Sequence, residues 1–393
     1  MKLKGIVWDH PGGFAGLEAA SKVYTQRHPR IQVDWDRKSI PDFAEGSLED
    51  LTARYDLLVV EHPLMGTVAK TGFFRPLDAL LSESSLSGQA KRSVGPSYGS
   101  YALAGHQWCL AVEASAQVSA YRPNLLGHPP RDWRRVMELA EGTKTGGPRV
   151  AMPLIPTDAY ASFLSLCANR GEPAFRGSQI VSREMAVEVL RFMQRLADAL
   201  HPASFEASPT ELLDMMSETD EVFYSPLLFG YSSYSRKREG KPLIAYADIP
   251  SAGQGPVGSL LGGAGIGVSA KSAHQQDAAR FAEWVCGPET QRGVYFTAGG
   301  QPGSSAAWDY ESVNAQAHNF FRRTKATMEG SYMQPRYAGY VGLQTRLGEI
   351  VHRCLVNGED ARRTYDEMNS AFQATAPANP SGSSSRPDAR APP

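Results

Sequence analysis

The first third of the chain alternates strand-length apolar runs with helical periods, and this order restricts the fold more than any single residue does. The run "KGIVW" at residues 4 to 8 precedes "FAGLEAASKVYTQR", which sets Phe14, Leu17, Ala20, Val23 and Tyr24 on one helical face. In "IQVDW" the alternation has period two, so Ile31, Val33 and Trp35 share a side. "YDLLVV", residues 55 to 60, is a continuous apolar strand of the kind buried on both faces, and a helix begins near Pro63. This rhythm predicts a parallel, doubly wound sheet, in which the carboxyl ends of the strands line the ligand crevice. Two of those ends carry an acid, a histidine and a proline: "WDHP" with Asp9 and His10, and "VEHP" with Glu61 and His62.

After residue 110 the rhythm changes. "CLAVEASAQVSAYRPNLL" reads as an extended segment leaving the first sheet, and "PRDWRRVMELAEG" as a helix capped by Asp132. The glycines of "SLLGGAGIGVSAKS" let backbone approach a ligand or an interlobe crossover, and helices dominate the rest. The final "ATAPANPSGSSSRPDARAPP" has no core former beyond alanine and reads as a disordered tail. At 393 residues the chain exceeds one ordinary core, so two domains are expected. A formal net charge of -1 gives no basic excess for nucleic acid. The four cysteines are scattered and read as buried small hydrophobes; no apolar run is long enough to span a membrane, and no export signal stands at the N-terminus.

Several chemistries fit the two acid-histidine pairs. Two imidazoles and two carboxylates are zinc ligands in kind, but each pair is adjacent in sequence, where side chains diverge, and no HExxH-like spacing supports a metal. Asp9 and Glu61 also suit capping of helices led by Pro11 and Pro63, which leaves the histidines idle. Thr157 and Asp158 begin a helix, where capping is the default reading. The segment "VFYSPLLFGYSSYSR" offers Tyr224, Tyr231 and Tyr234 as stacking faces or as core. No GxSxG, GxGxxG or GxxxxGK[ST] in a fitting context supports hydrolase or nucleotide chemistry.

In order and motifs the chain resembles family 1 extracellular solute-binding proteins, the sugar-type receptors of ABC importers. The likeness runs from about Leu3 to Phe372, through "YDLLVVEHPLMGTVAKTGFFRPLDALLS", "PRDWRRVMELAE" and above all "GGAGIGVSAKSAHQQDAARFAEWVCGPETQRGVYFTAGGQPGSSAAWDY". The resemblance implies a type II, two-lobed periplasmic-binding-protein-like α/β fold. Lobe one would comprise 1–111 plus 264–312 and lobe two 112–263 plus 313–374, with 375–393 as the tail. It implies capture of a small polar solute between lobes that close, by a periplasmic monomer serving a membrane permease, with no catalysis, cofactor or metal. By position it carries ligand contact onto Trp8, Asp9, His10, Glu61, His62, Glu113, Ser115, Thr157, Asp158, Tyr231, Gly263 and Tyr337.

The expected solute is a sugar or sugar-like molecule, but the cleft departs from a neutral-sugar site in two ways: Ala264 stands where relatives often carry an aromatic, and ionisable residues are abundant, which leaves an acidic, amino or otherwise charged solute open. His10 and His62 are expected to change charge near neutrality. The competing functions are a cytoplasmic solute sensor on the same scaffold, matching the missing export signal, and a hydrolase or lyase with His10 or His62 as base.

Overall fold

The structure, a computed structural model, describes residues 1–38, 47–147 and 149–375. In chain order the strands are β1 (Lys2–Trp8), β2 (Gln32–Lys38), β3 (Leu57–Val60), β4 (Phe74–Arg75), β5 (Cys109–Ala111), β6 (Ser115–Tyr121), β7 (Arg149–Val150), β8 (Val222–Phe229), β9 (Ala245–Ala247), β10 (Leu261–Gly262) and β11 (Gly265–Ser269), leaving aside one short hairpin. They form two sheets. The first runs β2-β1-β3-β11-β4 with β5 beside β11, and the second β9-β6-β8-β7 with β10 beside β6.

The first sheet is parallel only over the segment that carries the βαβ rhythm. β1 pairs in parallel with β2 and β3, whereas β11 lies antiparallel to β3, β4 and β5. The expected all-parallel sheet is therefore mixed. β11 enters from the second sheet through a short crossover instead of by way of a covering helix, so the geometry that forces parallel pairing in a βαβ unit does not apply to it. Helix α1 (Pro11–Arg27) covers this sheet, with Leu17, Ala20 and Tyr24 buried and Phe14 packed at the edge of the same core. Ile31, Val33 and Trp35 join them from one face of the β2 region, as period two requires.

The second sheet is covered by helices that include Trp133–Gly142, capped by the Asp132 side chain on the Arg135 N–H, then α2 (Pro156–Asn169) and α3 (Tyr340–Asn357). Hydroxyls tie α2 to β6: Gln117 Nε2 donates to Ser162 Oγ at 3.3 Å, and Ser165 Oγ donates to Gln117 Oε1 at 2.6 Å. Packing brings the chain into the second body before residue 312, because Trp308 shares a core with Val118, Leu228 and Phe321.

The sheets are joined where β5 runs into β6, where β10 runs into β11, and near Gln301. That glutamine, 5% exposed, donates from Nε2 to Ala114 O at 3.1 Å and Gly230 O at 3.0 Å, and accepts from the Ser232 N–H at 2.7 Å. All four cysteines are free and buried. Among the described residues no helix is long and apolar enough to cross a membrane. The expected disordered tail lies outside the described residues, apart from Thr375, which ends the last helix.

Candidate functional site

The first acid-histidine pair splits at the end of β1. Asp9 is exposed, its N–H held by Lys38 O at 2.7 Å. His10, half-buried, is the N-cap of α1: its Nδ1 accepts from the Gly12 N–H at 3.1 Å. The cap expected of Asp9 is thus made by the histidine, because the chain turns into the helix one residue later. An acceptor Nδ1 leaves the proton on Nε2 and the ring neutral. Burial lowers the pKa of His10, against the pull of Asp214 and Asp9 in the other direction. The ring lies 5.4 Å from that of Tyr231, across the gap between the sheets. Trp8 packs its indole where a Gly13 side chain would stand, and its buried Nε1 has no partner.

The second pair diverges more sharply. Glu61 is exposed, and desolvation by the surrounding protein raises its pKa. Its side chain makes no capping bond to the turn His62–Leu64. His62 is 1% exposed, edge-on to Tyr101 at 6.4 Å, with Nε2 unpartnered. Burial, then the Arg336 guanidinium, lowers its pKa to about 3. This overturns the expectation that His62 changes charge near neutrality. In an NMR titration the His62 ring, assigned with His62→Gln, should keep one chemical shift from pH 8 to pH 5. A midpoint near the usual 6.5 would place the ring in water.

The facing wall comes from the β5-β6 crossover and the second sheet. Glu113, 7% exposed, precedes Ser115, whose Oγ donates to Gly230 O at 3.3 Å. Gly263 adopts φ +95°, and a Cβ there would meet Glu113 O at 2.5 Å and Ser115 N at 3.0 Å, so glycine is required for the second crossover to lie against the first. Tyr231 follows Gly230 and turns its ring to His10, while Tyr224 is core and Tyr234 donates to Asp214 at 2.8 Å. Asp158, 4% exposed, sits in the first turn of α2, which has Ile155 as N-cap and no side-chain cap; the capping expected of Asp158 and of exposed Thr157 is absent. One helical turn separates Asp158 from Ser162, whose partner Gln117 lies two residues along β6 from Ser115. The helix therefore presents Asp158 toward the start of β6. Tyr337 packs its ring on Tyr340 at 5.5 Å and on the second core, so its backbone, not its phenol, meets Gly66 of the first body.

Electrostatically the space is acidic. Burial, reinforced by Glu61, pushes Glu113 up to about 8, and burial alone pushes Asp158 up to about 7. Burial and then Glu113, Asp158 and Glu61 raise the Tyr231 phenol. Among the described residues no Lys, Arg or His pairs with any of the three. No group of three metal-ligating side chains occurs among the described residues. A cavity of about 690 Å³ opens elsewhere, beside β9 and His318, and contains none of the expected ligand residues. The approach of His10 and Tyr231 from the two sheets marks the candidate site, and not that cavity.

Sequence reasoning passed over three contributors: Asp214, which acts on His10; Gln301, which holds the crossovers; and Arg336. The Arg336 Nη1 lies within 2.9, 2.8 and 2.6 Å of the carbonyl oxygens of Gly99, Ser100 and Ala102 in the first body. Each is polar and isolated in sequence, and only its place in the fold singles it out.

Comparison with known proteins agrees with this architecture. The maltose-bound MalE3 of T. maritima superposes with a TM-score of 0.80 at 16% identity, covering 95% of this chain and 99% of that one. A solute-binding protein of Thermotoga lettingae bound to α-D-tagatose gives 0.78 at 13% identity, covering 95% and 99%. The GacH receptor of Streptomyces glaucescens, solved unliganded and with acarbose, gives 0.77 at 15% identity, covering 95% and 97%. These share the two-lobed α/β fold. No curated protein matches the chain. The model of the bacterial extracellular solute-binding protein family matches residues 19–320, most of the chain, and the protein belongs to that family.

Proposed function

We propose that the protein captures a small polar solute, a sugar or sugar-like molecule, between its two lobes and presents it to the permease of an ABC importer. The observation that carries this reading is the approach of His10, at the end of the first sheet's β1, to Tyr231, just after the second sheet's β8, with ring centroids 5.4 Å apart. Maltose, α-D-tagatose and acarbose name the ligands of the similar structures. The family consists of binding proteins and not enzymes, and its extracellular character argues for a periplasmic place over a cytoplasmic sensor. The proposed lobes are 1–111 with 264 to about 300, and 112–263 with the remainder to 374; the monomeric state is part of the same proposal. Asp9, His62, Thr157 and Tyr337 stand at the periphery of the proposed site, and Ser115 and Gly263 shape its floor.

A thermal-shift screen against sugars, polyols, amino acids and organic acids tests the reading. A true ligand at a hundred times its dissociation constant should stabilise by about 2.7 kcal/mol. Scattering with that ligand should show a closed, compact monomer. A response confined to amino acids or organic acids would overturn the sugar-type reading.

A further inference from the structure

The second sheet carries another concave site, at the far end of β6 from the cleft. The cavity of about 690 Å³ beside β9 has the size of a small-molecule pocket. Ser115 opens β6 at the candidate site, and Tyr121, which lines the cavity, closes that strand about 20 Å further along. One wall is β9, the end strand of the sheet; the others are the segment around Pro129 and the start of the helix Phe320–Glu329. Both flanking segments are pinned. The Ser251 N–H donates to Arg131 O at 2.9 Å, while buried Asn314 accepts the Asn319 N–H on its carbonyl at 2.8 Å and the Arg322 N–H on Oδ1 at 3.0 Å. The turn so held keeps His318 and Asn319 at φ +46° and +63°, a conformation that costs energy in residues other than glycine.

Two guanidiniums and two imidazoles line this cavity: Arg131, Arg323, His128 and His318. Neighbouring cations of the same two segments are paired, Arg134 with Glu138, Arg135 with Asp132, Arg322 with Glu311 and Lys325 with Asp309. Arg131 and Arg323 have no carboxylate partner among the described residues; Arg323 Nη1 donates to Tyr121 Oη at 3.2 Å, and the rest of its fork is unclaimed. Of the lining residues Asp248 alone is acidic, and its Oδ1 accepts from the Thr327 N–H at 2.8 Å and hydroxyl at 2.7 Å. Unpaired guanidiniums in a concavity focus positive potential, and their planar forks match carboxylate oxygens two by two. We propose that this cavity binds a second solute, a small hydroxy-polycarboxylate, with Arg131 and Arg323 each taking a carboxylate and Asp248 Oδ2 accepting a hydroxyl. A lone inorganic anion would leave most of the cavity unfilled, whereas Pro129, Pro130, Leu243 and Ile249 give a carbon skeleton apolar surface. The hydroxyl is required because a carboxylate turned toward Asp248 would be repelled.

The test is calorimetric titration of the full chain with citrate, with tricarballylate, which lacks the hydroxyl, and with inorganic phosphate, at neutral pH and about 0.15 M salt. Citrate should bind at a single site, at least about tenfold more tightly than either of the others. Arg131→Gln and Arg323→Gln should each weaken citrate about tenfold. Both side chains are exposed, and that of Arg131 makes no contact that folding needs, so the variants report on binding. Citrate binding that survives both substitutions would belong to the cleft or to scattered surface charge and would overturn the proposal. Phosphate binding as tight as that of citrate, which needs charge alone, would overturn it too, as would the absence of citrate binding. Equal affinity for citrate and tricarballylate would overturn the assignment of a hydroxyl to Asp248.

Discussion

Replacing Glu113 by glutamine is expected to stabilise the ligand-free protein at pH 8, although the residue belongs to the proposed binding site. In the unfolded chain this carboxyl ionises near 4.5, whereas in the folded protein burial and Glu61 hold its proton up to about 8. Between those values the unfolded state loses a proton that the folded state keeps, so stability falls as pH rises through the window and levels off above it. At about 1.4 kcal/mol per pH unit the loss approaches 5 kcal/mol as an upper bound, less what water in the cleft screens. Glutamine keeps the shape and removes the titration. For a chain that unfolds as one unit, at about 2.1 cal/mol/K per residue, the midpoint at pH 8 should rise by up to roughly 6 °C, with little change at pH 4.5. Asp158 contributes a parallel slope up to about pH 7, so only the double variant with Asp158→Asn should be nearly flat. The measurement is thermal unfolding from pH 4.5 to 8.5 without ligand. An unchanged slope in Glu113→Gln would mean that the carboxyl is ionised and solvated in the folded protein. Stabilisation joined to weaker solute binding is the trade expected where a site keeps groups strained for its ligand.

What the sequence disclosed about the site follows from how local its causes are. The ends of β1 and β3 were legible because period and proline punctuation are short-range signals, and so was the cap by Asp132. The direction of each side chain at those ends was not. At "WDHP" the histidine turns inward and the acid outward, and at "VEHP" the acid is exposed while the histidine is buried. Both follow the rule that neighbouring residues diverge, but which member turns in depends on the first helical turn. After β1 the α-helix starts at once and takes His10 as its cap, whereas after β3 a short 3-10 turn intervenes and rolls His62 beneath Tyr101. Of the three tyrosines in "VFYSPLLFGYSSYSR", Tyr224 lies within β8 and is core, and Tyr231 stands where the strand has ended and the chain meets the other lobe. The antiparallel entry of β11 was illegible for a related reason. Its pairing is decided by a strand 205 positions away, Gly265 facing Val60, and no local pattern records it.

Arg336→Ala is expected to shift the protein toward an open form and to weaken ligand binding on the order of a hundredfold. Arg336 comes from the proposed second lobe, and its Nη1 reaches carbonyls at the end of the Gly99–Tyr101 turn in the first. Two hydrogens serve three acceptors, so one is shared, and a charged donor makes each bond worth about 1.5–3 kcal/mol. On opening, the guanidinium and the carbonyls regain water, which returns much of that sum and leaves a net closure term of about 3 kcal/mol for a half-buried cation. Burial lowers the guanidinium to about 10, which still leaves it charged at neutral pH. Beside this latch, Gly66 receives the backbone of residues 336–338 so closely that any side chain would collide, so the contact needs both the charge and the missing Cβ. Scattering of the ligand-free variant should give a larger radius than wild type, and titration with whichever solute the screen identifies should show the lost affinity. A third readout separates a latch from a merely structural arginine. Arg336 helps to lower the pKa of buried His62, so its removal should raise the His62 midpoint from about 3 in an NMR titration. Arg336→Lys should keep much of that electrostatic effect while losing closure, because a single ammonium on a flexible stem does not reproduce the guanidinium's fixed geometry. Unchanged radius and unchanged affinity in Arg336→Ala would assign closure to the ligand contacts alone.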